Sequence, residues 1–266
     1  MIDSHVHLAY WPVTTELEAA GVLGAVDLAA PEDRLPSAPH VIFSGPMLTR
    51  PGGYPLDSWG RDGYGIGCSD ERCVRETIDR LAGKGARVIK LALDDGGLDP
   101  ALAPIAVAAA HAKSLKVAAH ALSRAGVEVA ARAGVDVLAH TPTEPLDDAA
   151  VAAWKDRAVI STLAAFGGRD QTVENLRKLR AAGATILYGT DLGNQRDAGP
   201  SKEEISLLKQ AGFDDAAIAD AMTTAPARFW GIDLSTSYVV LDVDPRTDVT
   251  TYLSPRAVVL DGKKLR

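Results

Sequence analysis

The 266-residue chain carries a formal charge of −7, with 47% hydrophobic and 24% charged residues. That balance is ordinary for a soluble globular protein, and the length suits one large α/β domain with an ample core. The acidic surplus and the lack of long runs of either charge exclude nucleic acid as an expected partner.

The chain opens MIDSHVHLAYWP, and Met1 to Leu8 reads as a first strand. Polar residues interrupt this stretch and no basic segment precedes it, unlike an export signal. The longest apolar run, around Ala101 to Ala112, is far short of the roughly 20 residues that span a bilayer. A cytoplasmic protein with no membrane partner is expected. A helix follows around Thr14 to Ala20, then a second strand from Gly24 to Ala29 and a third from His40 to Leu48. Next comes a long segment rich in glycine and aromatic residues, PGGYPLDSWGRDGYGIGCSD. Its Cys68 and the nearby Cys73 fit no zinc spacing or disulfide framework and are expected to be unpaired thiols.

A helix from Glu71 to Ala82 leads into a regular alternation. Strands are expected at Arg87 to Leu93, Lys116 to Ala121, Val135 to Thr141, Val159 to Phe166 and Thr185 to Asp191. Helices follow them at about Pro100 to Lys113, Arg124 to Ala133, Asp147 to Asp156, Asp170 to Ala182 and Lys202 to Gln210. Glycine closes several helices, as in AAG at 19–21 and 181–183, where a positive φ is expected. Eight strand-helix units imply a parallel sheet, closed or open. Beyond a helix from Asp214 to Thr224 the pattern changes. SYVVLDVDP, DVTTYL and PRAVVLDGKKL read as short antiparallel strands with an Asp261-Gly262 turn. These form a small C-terminal β appendage, residues 231–266, to a main domain of residues 1–230.

Periodicity does not separate a barrel from a doubly wound sheet, but the polar residues inside the strands do. No glycine-rich phosphate fingerprint follows the first strand. His5 and His7 stand two residues apart and so share a face of that strand. His120, His140 and Asp191 fall late in the fifth, sixth and eighth strands, and Lys90 falls within the fourth. In a (β/α)₈ barrel the C-terminal strand ends meet at one mouth, so these six groups converge there. One strand histidine is ordinarily a satisfied core residue, and a lone HxH is a weak signal. A lysine inside an apolar strand is costly without a partner, and the joint placement of all six argues for a metal site. His40 at a strand start and His111 in a helix lie away from it.

In these positions the chain resembles the amidohydrolase superfamily: HVH in the first strand, the fourth-strand lysine, the two later histidines and the GTD ending the eighth strand. Locally, GVDVLAHTP and ILYGTDLGN look most like its imidazolonepropionase-related and prolidase-like branch. The resemblance implies a TIM-like (β/α)₈ barrel and two divalent metal ions, zinc being the best suited, with manganese and iron as alternatives. It implies that His5, His7 and Asp191 hold one metal and that His120 and His140 hold the other. Lys90, carboxylated by carbon dioxide, and a hydroxide would bridge them. Two cations lower the pKa of a shared water, and Asp191 can shuttle its proton to a leaving nitrogen. The implied reaction is hydrolysis of an amide or cyclic amide, with a small-molecule substrate.

Two features depart from that branch. Its members usually begin with β-sandwich strands before HxH, which here starts at residue 5, so a reduced or missing sandwich is expected. VVLDGKKL looks like the remnant of its returning strand. Deaminases of the superfamily usually use one metal and a glutamate three residues after the fifth-strand histidine, where this chain has Ser123. Lactonases and phosphotriesterases share the full ligand set, so ester chemistry stays open beside amide chemistry. Expected substrate-wall residues are Tyr10, Trp11, Tyr54, Trp59, Arg61, Tyr64, Phe166 and Asn194, with Gln195 and Arg196 beside them. The long segment at 50–69 is a candidate lid.

Overall fold

The computed structural model describes all 266 residues. The first half contains β1 (Ile2–Val6), α1 (Thr14–Ala19), β2 (Gly24–Asp27), β3 (Val41–Phe43), β4 (Met47–Thr49), β5 (Gly65–Gly67), α2 (Glu71–Gly83), β6 (Val88–Ala92), α3 (Ala103–His111) and β7 (Lys116–His120). Next come α4 (Arg124–Ala133), β8 (Val137–Leu138), α5 (Asp148–Ala152), β9 (Ala158–Ile160), α6 (Asp170–Ala181), β10 (Thr185–Leu187), α7 (Lys202–Gln210), α8 (Asp215–Met222) and α9 (Thr224–Trp230). The chain ends with β11 (Tyr238–Val240), β12 (Ala257–Leu260) and β13 (Lys263–Lys264). No helix is long and apolar enough to cross a membrane.

Local chemistry sets the helix boundaries. Asp70, Ser123, Asp147, Ser201 and Asp214 each accept a backbone N–H from the residue three positions on, satisfying a donor that the first turn leaves free. Gly21 and Gly183, in the expected AAG sequences, take φ of +92° and +100°, where a side chain would be strained.

A parallel sheet of seven strands runs in the order β10-β9-β8-β7-β6-β4-β5, beside a parallel sheet ordered β1-β2-β3. Backbone bonds link the two sheets at both edges. Arg87 N–H donates to Phe43 O at 3.2 Å on one side; on the other, Ser4 N–H donates to Tyr188 O at 2.9 Å and Asp191 N–H to His5 O at 2.9 Å. One face of both sheets packs on itself. Ile2, Val26, Ile42, Val88, Ala118, Val137, Ala158 and Leu187 join Trp230 and Ile232 in a single buried cluster. Burying aliphatic chains of this size contributes roughly 1.5–3 kcal/mol each. The opposite faces pack under the helices, where Ile78, Leu81, Ile89, Leu91, Val117 and Leu138 belong to the larger cluster.

The structure corrects four expectations. The third strand is not continuous over 40–48: Gly45, at φ +71°, and Pro46 break it. As a result β3 pairs with β2 while β4 pairs with β5 and β6. The long segment contains a strand of its own, β5. DVTTYL forms a 3₁₀ turn over Val249–Leu253 instead of a strand, because the Asp248 carboxylate accepts the Thr250 N–H. Finally, Cys68 and Cys73 are joined as a disulfide. Asp70, capping α2 through the Cys73 N–H, folds the chain back so that the two cysteine Cα atoms stand 5.4 Å apart, within disulfide reach.

The C-terminal strands do form an antiparallel sheet, ordered β11-β12-β13. Asp261 and Gly262 turn between β12 and β13 with φ of +49° and +75°, the backbone such a hairpin favours.

Candidate metal centre

All five residues of β1 and of β6 are buried. Side chains alternate along a strand, so Lys90 continues the inward row begun by Val88, and His120 the row begun by Ala118. His5 lies in β1 and His7 just beyond it. His140 and Asp191 lie past the ends of β8 and β10, which are shorter than the sequence pattern implied. Thr162 and Asp191 take φ of +41° and +57°, and those turns take the chain out of the strand ladder. Such backbone is costly for a β-branched residue. Here it aims Thr162 Oγ1 at His140 Nδ1, 3.1 Å away.

All six predicted ligands line one cavity of about 310 Å³ at the C-terminal strand ends. His5 Nε2 and His7 Nε2 are 3.3 Å apart, and Asp191 Oδ1 stands 3.4 Å and 3.1 Å from them. The donor atoms of this trio lie within 4.8 Å of one another. His140 packs against His5 with ring centroids 4.5 Å apart, and His120 against His140 at 4.9 Å. His5 Nδ1–H donates to Ala139 O at 2.8 Å, which leaves the Nε2 lone pair facing the cavity. His120 Nε2 is 3.6 Å from Asp94 Oδ2, leaving Nδ1 as its other nitrogen.

Burial sets the electrostatics. It holds His5 and His140 well below the usual imidazole value and takes His120 down to about 4, so these rings are neutral and able to ligate. Burial pushes Asp191 up, but the facing imidazoles of His5, His7 and His140 outweigh it and hold the carboxyl well below its usual range. Lys90 is fully buried, and its Nζ has no hydrogen-bond partner. Burial lowers this amine to about 7, with Asp191 opposing the shift. His7 Nδ1 also has no hydrogen-bond partner.

Of the expected wall residues, Tyr10, Tyr54, Trp59, Phe166, Asn194 and Arg196 line the cavity. Tyr54 stacks on His120 at 4.6 Å, Phe166 packs on His140 at 4.8 Å and Trp59 on His7 at 5.3 Å. Four others do not reach it. Tyr64 is buried behind the wall and donates to Ala9 O. Trp11 stands outside, under the Arg196 guanidinium at 4.4 Å. Arg61 turns back to donate to Asp57 O, and Gln195 is not among the lining residues. His40 and His111, expected elsewhere, pair with Asp261 and Asp136 outside the cavity.

Sequence reasoning missed Met47 and Gly193 in the lining, and Thr162 and Asp94 behind it. Met47 carried no signal. Gly193 did: it stands in the GTDLGN segment, and a Cβ there would meet His7 Cβ at 2.9 Å. This is an α/β protein with a cavity of converging polar groups at the carboxyl ends of its parallel strands.

No protein-family model and no curated protein matches the sequence. Solved structures do. A candidate prolidase from Bifidobacterium longum superposes with a TM-score of 0.79 at 21% identity, covering 99% of this chain and 79% of that one. A Xaa-Pro dipeptidase with methionine bound in its active site gives 0.82 at 17% identity, over 99% and 85% of the two chains. The A. niger ochratoxinase gives 0.79 at 18% identity, over 100% and 82%. The chain has the fold of these proteins.

Proposed function

We propose that this chain is a metal-dependent hydrolase that cleaves the C–N bond of a small amide or cyclic amide. The observation that carries the reading is Lys90: a fully buried amine without a partner, in a cavity shared with four histidines and Asp191. A buried ammonium alone among imidazoles is costly. An amine lowered to about 7 is partly unprotonated near neutrality and reactive toward carbon dioxide, giving an anionic carbamate. The donor set of imidazoles and carboxylates suits zinc. The residues fit a pair of metals: His5, His7 and Asp191 would hold one, His120 and His140 the other, and carboxylated Lys90 would add a further anionic ligand. When bound, the two ions would supply hydroxide near neutral pH and polarise a carbonyl.

The chain's own residues do the rest. The Asp191 carboxylate accepts the proton of the attacking water and delivers it to the leaving nitrogen. A C–O bond forms, the C–N bond breaks, and acid and amine are released. Tyr10, Tyr54, Trp59 and Phe166 exclude water and hold an apolar group beside the scissile bond. The linking bonds between β1 and the segment after β10 support a closed (β/α)₈ barrel over residues 1–230, with residues 231–266 as a C-terminal β appendage.

Names among the similar structures fit this chemistry: prolidase, Xaa-Pro dipeptidase, ochratoxinase, molinate hydrolase and phenylurea hydrolase. The test is elemental analysis of protein purified without chelator, followed by turnover on amide, cyclic amide, lactone and phosphotriester panels with ammonia release measured in parallel. About two transition metals per chain and amide cleavage are expected. Folded protein without metal refutes the proposal. Ammonia release alone assigns deaminase chemistry, and lactone or phosphotriester turnover alone assigns ester chemistry.

A further inference from the structure

The hydrolase reading gives the Tyr54 hydroxyl no task. Tyr54, between β4 and β5, lies with its ring nearly parallel to His120, at an interplanar angle of 28°. Trp59 Nε1–H donates to its hydroxyl at 3.0 Å and fixes the oxygen from outside. A phenol that accepts one bond still has its own proton to give, and no protein atom accepts it. The hydroxyl is thus an oriented donor among the groups that line the cavity. An ordinary phenol keeps its proton near neutral pH.

We propose that Tyr54 is a catalytic residue whose hydroxyl donates a hydrogen bond to the carbonyl oxygen of the bound amide and to the oxyanion formed from it. This rests on the hydrolase reading. As the new C–O bond forms at the carbonyl carbon, the π pair moves onto the oxygen and strengthens its bond from Tyr54. The proton stays on the phenol throughout. When the C–N bond breaks, the pair returns to the carbonyl and the nitrogen takes its proton from Asp191. A donor that gains strength as charge develops lowers the barrier more than it tightens substrate binding.

The test uses Tyr54→Phe, which keeps the ring on His120 and removes only the donor. Methylphosphonate is the probe, a tetrahedral oxyanion whose binding to metal-loaded protein calorimetry measures without turnover. With metal content unchanged, Tyr54→Phe should bind it about tenfold more weakly, the effect of one lost charge-assisted bond. On the best amide of the panel, kcat should fall about a hundredfold while KM stays within about threefold. Trp59→Phe keeps an aromatic ring but loses the N–H that orients the phenol. It should weaken methylphosphonate binding about threefold in the wild-type background and not further in Tyr54→Phe, since it acts through the hydroxyl. Unchanged methylphosphonate affinity in a metal-loaded Tyr54→Phe protein overturns the role of Tyr54 and leaves the hydrolase intact. Wild-type protein that holds no metal overturns both.

Discussion

Lys90→Met should stabilise the metal-free protein while disabling it. The Lys90 amine has no exposure and no partner, and burial takes it from 10.5 to about 7. At about 1.4 kcal/mol per tenfold, holding it there costs folding roughly 5 kcal/mol at low pH. The sign follows from proton counts. Between about pH 7 and 10.5 the unfolded chain holds a proton at Lys90 that the folded chain does not, so stability rises with pH across that window. Below about 7 both forms are protonated and the full cost is present. Methionine has similar length and no charge, so the advantage of Lys90→Met should shrink from roughly 5 kcal/mol near pH 6.5 to roughly 1 kcal/mol near pH 9.5. Urea unfolding of chelator-treated protein, wild type against variant at the two pH values, reads this directly. Near pH 9.5, adding zinc and bicarbonate should reverse the order, because a ligand that binds only the folded state stabilises it by about 2.7 kcal/mol at a hundredfold excess over Kd, more than the roughly 1 kcal/mol at stake there. A variant that is less stable than wild type without metal, or an advantage independent of pH, would refute the claim that Lys90 is an uncompensated buried amine.

Three further outcomes are expected. Asp191→Asn should lose at least about a hundredfold in kcat and keep part of its metal, since an amide oxygen ligates but takes no proton; elemental analysis beside kinetics separates the two effects. His40→Ala and His111→Ala should leave metal content unchanged, because each ring pairs with a surface aspartate outside the cavity; loss of metal in either refutes the assignment of the site. Glu204→Gln should flatten part of the pH dependence of stability. Burial raises this carboxyl from 4.5 to about 7, so its contribution is present below 4.5 and lost as pH rises to about 7, on the order of 3 kcal/mol. Identical urea midpoints for wild type and variant at about pH 5 and about pH 7.5 would show that Glu204 does not titrate in this range.

The parts of the site that were legible were those whose residue type clashes with its local pattern. Histidine, lysine and aspartate inside apolar runs are expensive unless they have work to do, and all six meet in one cavity. Features set by backbone geometry were not legible. The third strand read as continuous because VIFSGPML is mostly apolar, yet Gly45 and Pro46 divide it and so form the neighbour that β5 pairs with. The sixth to eighth strands ended early, and beyond the seventh and eighth Thr162 and Asp191 adopt positive φ, which composition does not announce. Aromatic content marked the wall without resolving it: Tyr54 and Trp59 face the histidines, while Tyr64, ten residues after Tyr54, is packed behind them. The cysteine pair was misread because spacing alone does not reveal that a helix cap brings its two ends together.

What holds these strand ends in place is a set of carboxylates. Asp3 in β1 accepts Thr190 N–H at 3.1 Å and Thr190 Oγ1–H at 2.6 Å, tying β1 to the turn that carries Asp191. Asp27 in β2 accepts Ala9 N–H at 3.1 Å, beyond His7. Asp94, after β6, accepts the N–H groups of Leu122 and Ser123 at 2.7 Å and 2.9 Å, just past His120. Glu204 on α7 accepts those of Leu163 and Ala164 at 3.1 Å and 2.7 Å, next to Thr162, which orients His140. Asp3, Asp27 and Asp94 each join the chain leaving one strand to its neighbour, Glu204 joins it to α7, and all four satisfy N–H groups that the ended ladder leaves free. The cost is visible in Asp3, Asp27 and Glu204, raised by burial to about 7, 6 and 7. Hydrophobic contacts are non-directional and would let such turns slide, whereas bidentate carboxylate bonds fix direction as well as distance. A site whose ligands come from five separate strands needs that directionality. The buried acids are therefore part of how the chain sets its histidines, although no motif in the sequence marks them.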